Sequence, residues 1–200
     1  MQSQRRTQAE RSASTRERVI QAVVDCIVEE GIQNTTAARI AKQSGVTWGA
    51  IAHQFGDKNS VFLAVVERNL ELYSADLESA PSLKKLSPSQ RVSVLVDRSW
   101  EHINQPSSLA FTEIVLYGRS HPNEELGAQR EKLTAKLTKE VWDYYFGDLE
   151  IEPALLEKVR NLTSATMLGM SIQGMLGPHK HSFRNEIATL KETVSHLLSF

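Results

Sequence analysis

Between residues 35 and 58 the chain reads TTAARIAKQSGVTWGAIAHQFGDK, and few folds can accommodate this stretch. Apolar residues at helical spacing flank a single glycine. One run goes from Ala37 to Gln43 with Ile40 and Ala41 facing inward, and another from Trp48 to Phe55 with Ile51 and Phe55 one turn apart. Thr36 and Thr47 stand directly before these runs, where a hydroxyl can accept from the orphan amides of a helix start. Gly45 supplies the turn, because a residue without a Cβ reaches positive φ cheaply just past a helix end. Val46 plugs the space between the two helices. Asp57 caps a third helix starting near Lys58, whose apolar positions Phe62, Val65, Val66 and Tyr73 keep helical spacing.

This pattern predicts a helix-turn-helix whose second helix shows Trp48, Gly49, Ala50, His53 and Gln54 on a face other than that of Ile51 and Phe55. Such a helix fits a major groove about 12 Å wide and presents its N-terminal residues to base edges. The same geometry also arises as ordinary packing of two helices. On the first reading, Thr36, Thr47 and Lys58 hold phosphates, and Trp48, Ala50 and His53 face bases or a thymine methyl. Trp48 has one donor, so apolar contact or stacking on sugar suits it as well as a base-specific bond.

The chain resembles the N-terminal domain of the TetR family of bacterial transcriptional regulators. Thr35-Thr36, Ile40-Ala41, Gly45-Val46-Thr47, Gly49, Ile51, Phe55 and Lys58 carry the likeness, preceded by a helix ending at Glu30-Gly31; it covers residues 14 to 70. The resemblance implies a homodimer that binds a palindromic operator and releases it when a small molecule occupies the C-terminal domain. One position departs: the family usually has a leucine-tyrosine pair where this chain has Ile51-Ala52, and that tyrosine commonly meets a phosphate. The contact is either lost or taken over by His53 or Gln54.

Charge is unevenly placed. Residues 1–60 carry a net charge of +2 and residues 61–200 a net charge of −3. Arg5, Arg6, Arg11, Arg16 and Arg18 outnumber Glu10 and Glu17, so residues 1–13 read either as a flexible basic arm toward phosphate or as a solvated tail. The expected division is this arm, a DNA-binding domain over 14–60, and a ligand-binding and dimerisation domain over 61–200. A connector helix runs over 58–79 into the second domain. Every strong periodicity after residue 71 is helical, giving an all-α chain of about nine helices. These include a helix over 89–104, one after Pro106 that breaks at His121-Pro122-Asn123, a long one ending at Gly147, and two more over 153–176 and 183–200. The loop 80–88, with Pro81 and Pro88, is the best boundary feature.

The last two helices are the expected dimer surface, through Leu155, Leu162 and Gly169 on one, and Ile187, Leu190, Val194 and Leu197 on the other. The second set steps by three, four and three residues, a seam suited to a bundle, and the same spacing also suits closure of the chain's own core. Aromatic and flexible side chains in the middle of the chain supply candidate ligand contacts: Trp100, Phe111, Tyr117, Trp142, Tyr145, Met167 and Met170, with Glu113, Glu101, His102 or Gln173 as polar anchors. These residues are equally ordinary core types.

Other functions find little support. The chain lacks GxSxG, HExxH, a P-loop, a GxGxxG turn and paired cysteines, which argues against an enzyme. The single Cys26 lies on an apolar helix face and reads as a core thiol. The histidines of Gly177-Pro178-His179-Lys180-His181 have no carboxylate or thiol at ligand spacing, so neither a metal nor a cofactor is expected. No charged segment followed by an apolar stretch opens the chain, and the weakly polar run Leu162 to Gly177 is too short to span a bilayer. A cytoplasmic regulator is expected, with double-stranded DNA, a small-molecule effector and a second copy of itself as partners. The alternative is a DNA-binding activator or architectural protein without a ligand.

Overall fold

The computed structural model describes residues 7–79, 82–176 and 182–200, apart from the side chains of Leu77, Glu78, Glu125 and Leu126. Arg5, Arg6, Pro81 and the loop 177–181 lie outside the described residues. Nine α-helices and two short 3-10 turns are found among the described residues, and no strand. In chain order the helices are α1 (Gln8–Glu30), α2 (Ala37–Ser44), α3 (Trp48–Phe55), α4 (Lys58–Glu78) and α5 (Pro88–Ile103). There follow α6 (Pro106–Ser120), α7 (Glu124–Phe146), α8 (Pro153–Leu176) and α9 (Arg184–Leu197). No helix among these residues is long and apolar enough to cross a membrane.

The helix starts follow from local chemistry. Thr7 opens α1 with a capping box: its hydroxyl accepts from the Glu10 amide at 3.2 Å, and the Glu10 carboxylate accepts from the Thr7 amide at 2.7 Å. Residues 8–13, expected in a flexible arm, are therefore the first turns of a helix. Ser87 and Gln90 form the same reciprocal pair ahead of α5, with Pro88 in the first turn. The α7 helix stops before Gly147, where a Cβ would collide with the carbonyl oxygen of Asp143.

The chain divides into two compact units, Met1–Leu72 with Pro106–Thr134, and Tyr73–Gln105 with Ala135–Phe200. The expected cut at residue 60 followed the chain in order, whereas packing groups α6 and the start of α7 with the first unit. The core of that unit shows why. Val19, Val23 and Ile27 of α1 pack with Ile40, Val46, Ile51, Val61 and Val65, and Ala110 and Ile114 of α6 belong to the same cluster. Two polar contacts fix α6 in place: Glu113 accepts from the Ile32 amide at 2.8 Å, and Ser108 donates to Asn69 at 2.9 Å. Cys26 is fully buried here, and burial raises its thiol pKa.

In the second unit α5 packs against α8 and α9. Arg91 is buried, donating to the Tyr145 carbonyl at 3.1 Å and to both carboxylate oxygens of Asp148. Lys191 of α9 pairs with Asp97 of α5 at 2.6 Å. Ile187, Leu190 and Val194 are buried inside this unit. The three-four spacing thus marks the face that α9 turns to its own unit, while Leu190 also lines a surface groove beside Leu162. Replacing Val194, which is 0% exposed, with Asp buries a carboxylate without a partner. The expected result is loss of cooperative unfolding in the second unit, or a stability lowered by about 3–5 kcal/mol, read by urea titration.

Candidate nucleic-acid interface

The reading element is assembled from caps, a turn and a shared core. The Thr36 hydroxyl accepts from the Arg39 amide at 3.2 Å and that of Thr47 from the Ala50 amide at 3.4 Å. Each hydroxyl oxygen is thus occupied as an acceptor, which leaves its proton to donate outward to an anion. Gly45 takes φ 66°, ψ 22°, the left-handed conformation the turn requires. Ile40 and Ile51 are fully buried and Val46 is buried between them. The helices begin and end within one residue of the sequence expectation.

This burial sets which residues remain outside. Thr36, Thr47, Gly49, Ala50 and His53 are exposed. Trp48 is half-buried and packs on the core of the first unit, so only part of its indole stays on the outer surface. Gln54 is engaged elsewhere than expected: its amide donates to the Ser12 carbonyl at 3.1 Å and the Ser12 hydroxyl at 3.4 Å, tying α3 to α1. Two further exposed residues, Lys42 and Gln43, join this surface at the end of α2. The signal for Lys42 was present in the sequence: once Ile40 and Ser44 face inward, helical geometry turns position 42 outward, while Gln43 lies at the flank.

The basic residues divide. Arg39 pairs with Glu30 at 2.6 Å and Glu29 at 3.6 Å. Arg16 pairs with Glu67 at 3.4 Å and lies 4.9 Å from the centre of the Phe55 ring. Both guanidinium groups act as struts between helices. Arg11, Arg18 and Lys42 are exposed and make no ion pair among the described residues. Lys58, expected to hold a phosphate, has its ammonium over two aromatic rings, 5.1 Å from the centre of Phe62 and 5.7 Å from that of Tyr117. Burial lowers its pKa.

The expected ligand residues fall into two groups. Phe111, Glu113 and Tyr117 belong to the first unit, where Phe111 packs on its core and the Glu113 carboxylate is held by the Ile32 amide. Trp142, Tyr145, Met167 and Met170 are buried in the second unit, and Trp100 is half-buried there with its ring edge-on to Phe183. Glu101 and Gln173 are exposed, so neither anchors a core site. His102 stacks on Tyr73 at 4.5 Å, and burial lowers its pKa to about 4. The hydroxyls of Tyr145 and Ser171 are buried with no hydrogen-bond partner among the described residues, and burial pushes Tyr145 up to about 12. Of the expected dimer residues, Leu162 is 47% exposed, Leu197 is 37% exposed, Gly169 is exposed and Leu155 is half-buried. No cluster of three His, Cys, Asp or Glu side chains suited to a metal occurs among the described residues.

The junction between α3 and α4 is set by Asp57, whose carboxylate accepts from the Ser60 amide and hydroxyl, both at 2.8 Å. These bonds hold its pKa below the ordinary carboxylate value. Asp57→Ala should destabilise the first unit by about 1 kcal/mol at neutral pH. The folded pKa is the lower one, so the contribution is complete above the unfolded value of 3.8 and disappears as pH falls through the folded value. Melting curves of wild type and variant should therefore differ at pH 7 and converge in acid.

Comparison with known proteins comes to the same region. Residues 19–65 match the sequence profile of bacterial regulatory proteins, tetR family. Over 121 residues the chain is 31% identical to the HTH-type transcriptional regulator SrpR of Pseudomonas putida, covering 56% of this chain and 50% of that protein. It is also 31% identical over 121 residues to the uncharacterized HTH-type transcriptional regulator TtgW, likewise of Pseudomonas putida, covering 56% of this chain and 80% of that protein. The match thus spans only half the length of SrpR. A crystal structure of a putative TetR-family transcriptional regulator from Rhodococcus sp. shares the fold, with a TM-score of 0.72 at 18% identity over 92% of this chain and 99% of that one.

Proposed function

Because the chain belongs to the TetR family of bacterial transcriptional regulators, we propose that it is a ligand-released repressor, acting in the cytoplasm as a homodimer on a palindromic operator. The observation that carries the DNA-binding part is the outer face of α2 and α3. There two hydroxyl-capped helix starts, the exposed His53 and Ala50, and the unpaired Lys42 stand together beside a glycine turn. Helix starts concentrate outward-pointing amides and the positive end of the helix dipole, so they suit phosphate oxygens flanking a groove. Ala50 offers a methyl to a thymine methyl, and His53 offers a ring nitrogen to a base edge or phosphate.

Dimerisation rests on the outer side of the second unit. Leu162 and Leu197 are large apolar side chains left partly in water, and Leu162 shares a shallow groove with Thr166, Thr189, Leu190 and Thr193. A second copy related by a two-fold axis covers such a strip with the same strip, and sets two reading helices into successive major grooves, about 34 Å apart. Effector binding rests on the Tyr145 and Ser171 hydroxyls of the second unit, each buried without a partner among the described residues and each able to be satisfied by a polar ligand group. An effector held there acts through α4. Its last turns are fixed in the second unit by Tyr73 to Ser99 at 2.6 Å and by Arg98 to the Asp76 carbonyl at 2.6 Å, while its first turns hold the core of the first unit. A shift of this helix favours one state of the dimer over the other, and operator affinity changes by the difference in ligand affinity between the two states.

Selection of bound fragments from random DNA by the purified protein tests the whole reading: a palindrome with half-sites one helical turn apart is expected, and an asymmetric or absent consensus overturns it. Leu162→Asp with Leu197→Asp should give a folded monomer in sedimentation, with unchanged helix content, since both side chains already face solvent. A persistent dimer places the interface elsewhere.

A further inference from the structure

A cleft of about 300 Å³ opens within the first unit, between the first turns of α4, the end of α6 and the start of α7. Its floor is apolar and aromatic, formed by Phe62, Val66, Ile114 and Tyr117. Arg119 and Arg130 stand in its wall, and neither guanidinium is in an ion pair among the described residues. Against these two cations the wall has one carboxylate among the described residues, Glu124. An apolar floor beside a net positive wall selects a flat hydrophobic body with one negative group, because guanidinium binds a carboxylate through two parallel bonds.

We propose that this cleft is an effector site for a small aromatic carboxylate, separate from the second unit, and that its occupancy is read by Lys58. The Lys58 ammonium already rests over Phe62 and Tyr117, which are both floor residues. Tyr117 is further held by His121, stacked on it at 3.9 Å. A bound anion adds negative charge beside the parked ammonium and packs the rings under it, which deepens the parked state. Lys58 then competes less well for a phosphate, and operator binding weakens. The Lys58 part rests on the operator-binding reading above, with the added premise that this ammonium reaches a phosphate on leaving the rings; the binding part does not.

The test uses the full chain, with 1-naphthoate as probe and 1-naphthamide as its uncharged counterpart, by titration calorimetry without DNA. Naphthoate should bind about tenfold more tightly than the amide, and Arg130→Ala should erase that preference. Gly118→Leu should abolish binding of both: a Cβ at Gly118 meets only the Arg130 Nη1, at 3.6 Å, so the added side chain enters the cleft and not the core. Circular dichroism melts check that this variant folds, and Arg130→Ala decides the matter if it does not. No binding up to about 1 mM naphthoate, or binding indifferent to both substitutions, overturns the site. In the second readout naphthoate should weaken binding to the selected operator in wild type and leave it unaltered in Lys58→Ala. Operator affinity unchanged by bound naphthoate in wild type overturns the link to Lys58. Failure of the protein to bind any operator leaves the calorimetric result standing, so the two readings fail separately.

Discussion

Two helices of eight residues cannot hold themselves in water, since isolated helices shorter than about 12–15 residues are marginal even with favourable sequences. The existence of α2 and α3 therefore depends on what they bury. Ile40, Val46 and Ile51 are the buried apolar side chains through which this element packs on the long helices α1 and α4, and full burial of each such side chain contributes roughly 1.5–3 kcal/mol. Everything proposed for the outer face follows from that inner face, because a short helix with its apolar residues inward has no choice about which others point out. The caps add to this: Thr36, Thr47 and Asp57 each satisfy an amide that would otherwise be orphaned at a helix start.

Much of this was legible in the residues themselves. Short-range chemistry, such as a hydroxyl before an apolar run or a glycine after one, depends only on neighbours in the chain, so the bounds of α2 and α3 followed from the sequence. Long-range choices did not. The stepping of Ile187, Leu190 and Val194 states that α9 has an apolar face, yet carries no information on whether that face meets the chain's own core or a second copy. Lys58 shows the same limit in charge: a cation at a helix start has an obvious local role, and its position over Phe62 and Tyr117 depends on α6, which lies far along the chain from it. Glu113 is a third case, for its partner amide at Ile32 precedes it by 81 positions.

The basic residues illustrate how structure and recognition share one charge type. Arg16 and Arg39 pair with carboxylates and brace helices, while Arg11, Arg18 and Lys42 remain exposed. Exposed pairs of this kind stabilise a fold only slightly. Their larger effect is on the electrostatic field: pairing Arg16 and Arg39 with carboxylates offsets their charge, and Arg11, Arg18 and Lys42 keep theirs unpaired in solvent.

The grouping of Pro106–Thr134 with the first unit has a consequence for modularity. A fragment ending at Leu72 would contain the whole helix-turn-helix, α1 and the first four turns of α4, and would still be incomplete. It would leave apolar surface bare where Ala110 and Ile114 had packed, strand the Ile32 amide without its carboxylate, and leave Asn69 without the Ser108 hydroxyl. The reading head is thus not a domain that can be lifted from the front of the chain and grafted onto another; its last wall is delivered by a segment that returns after α5.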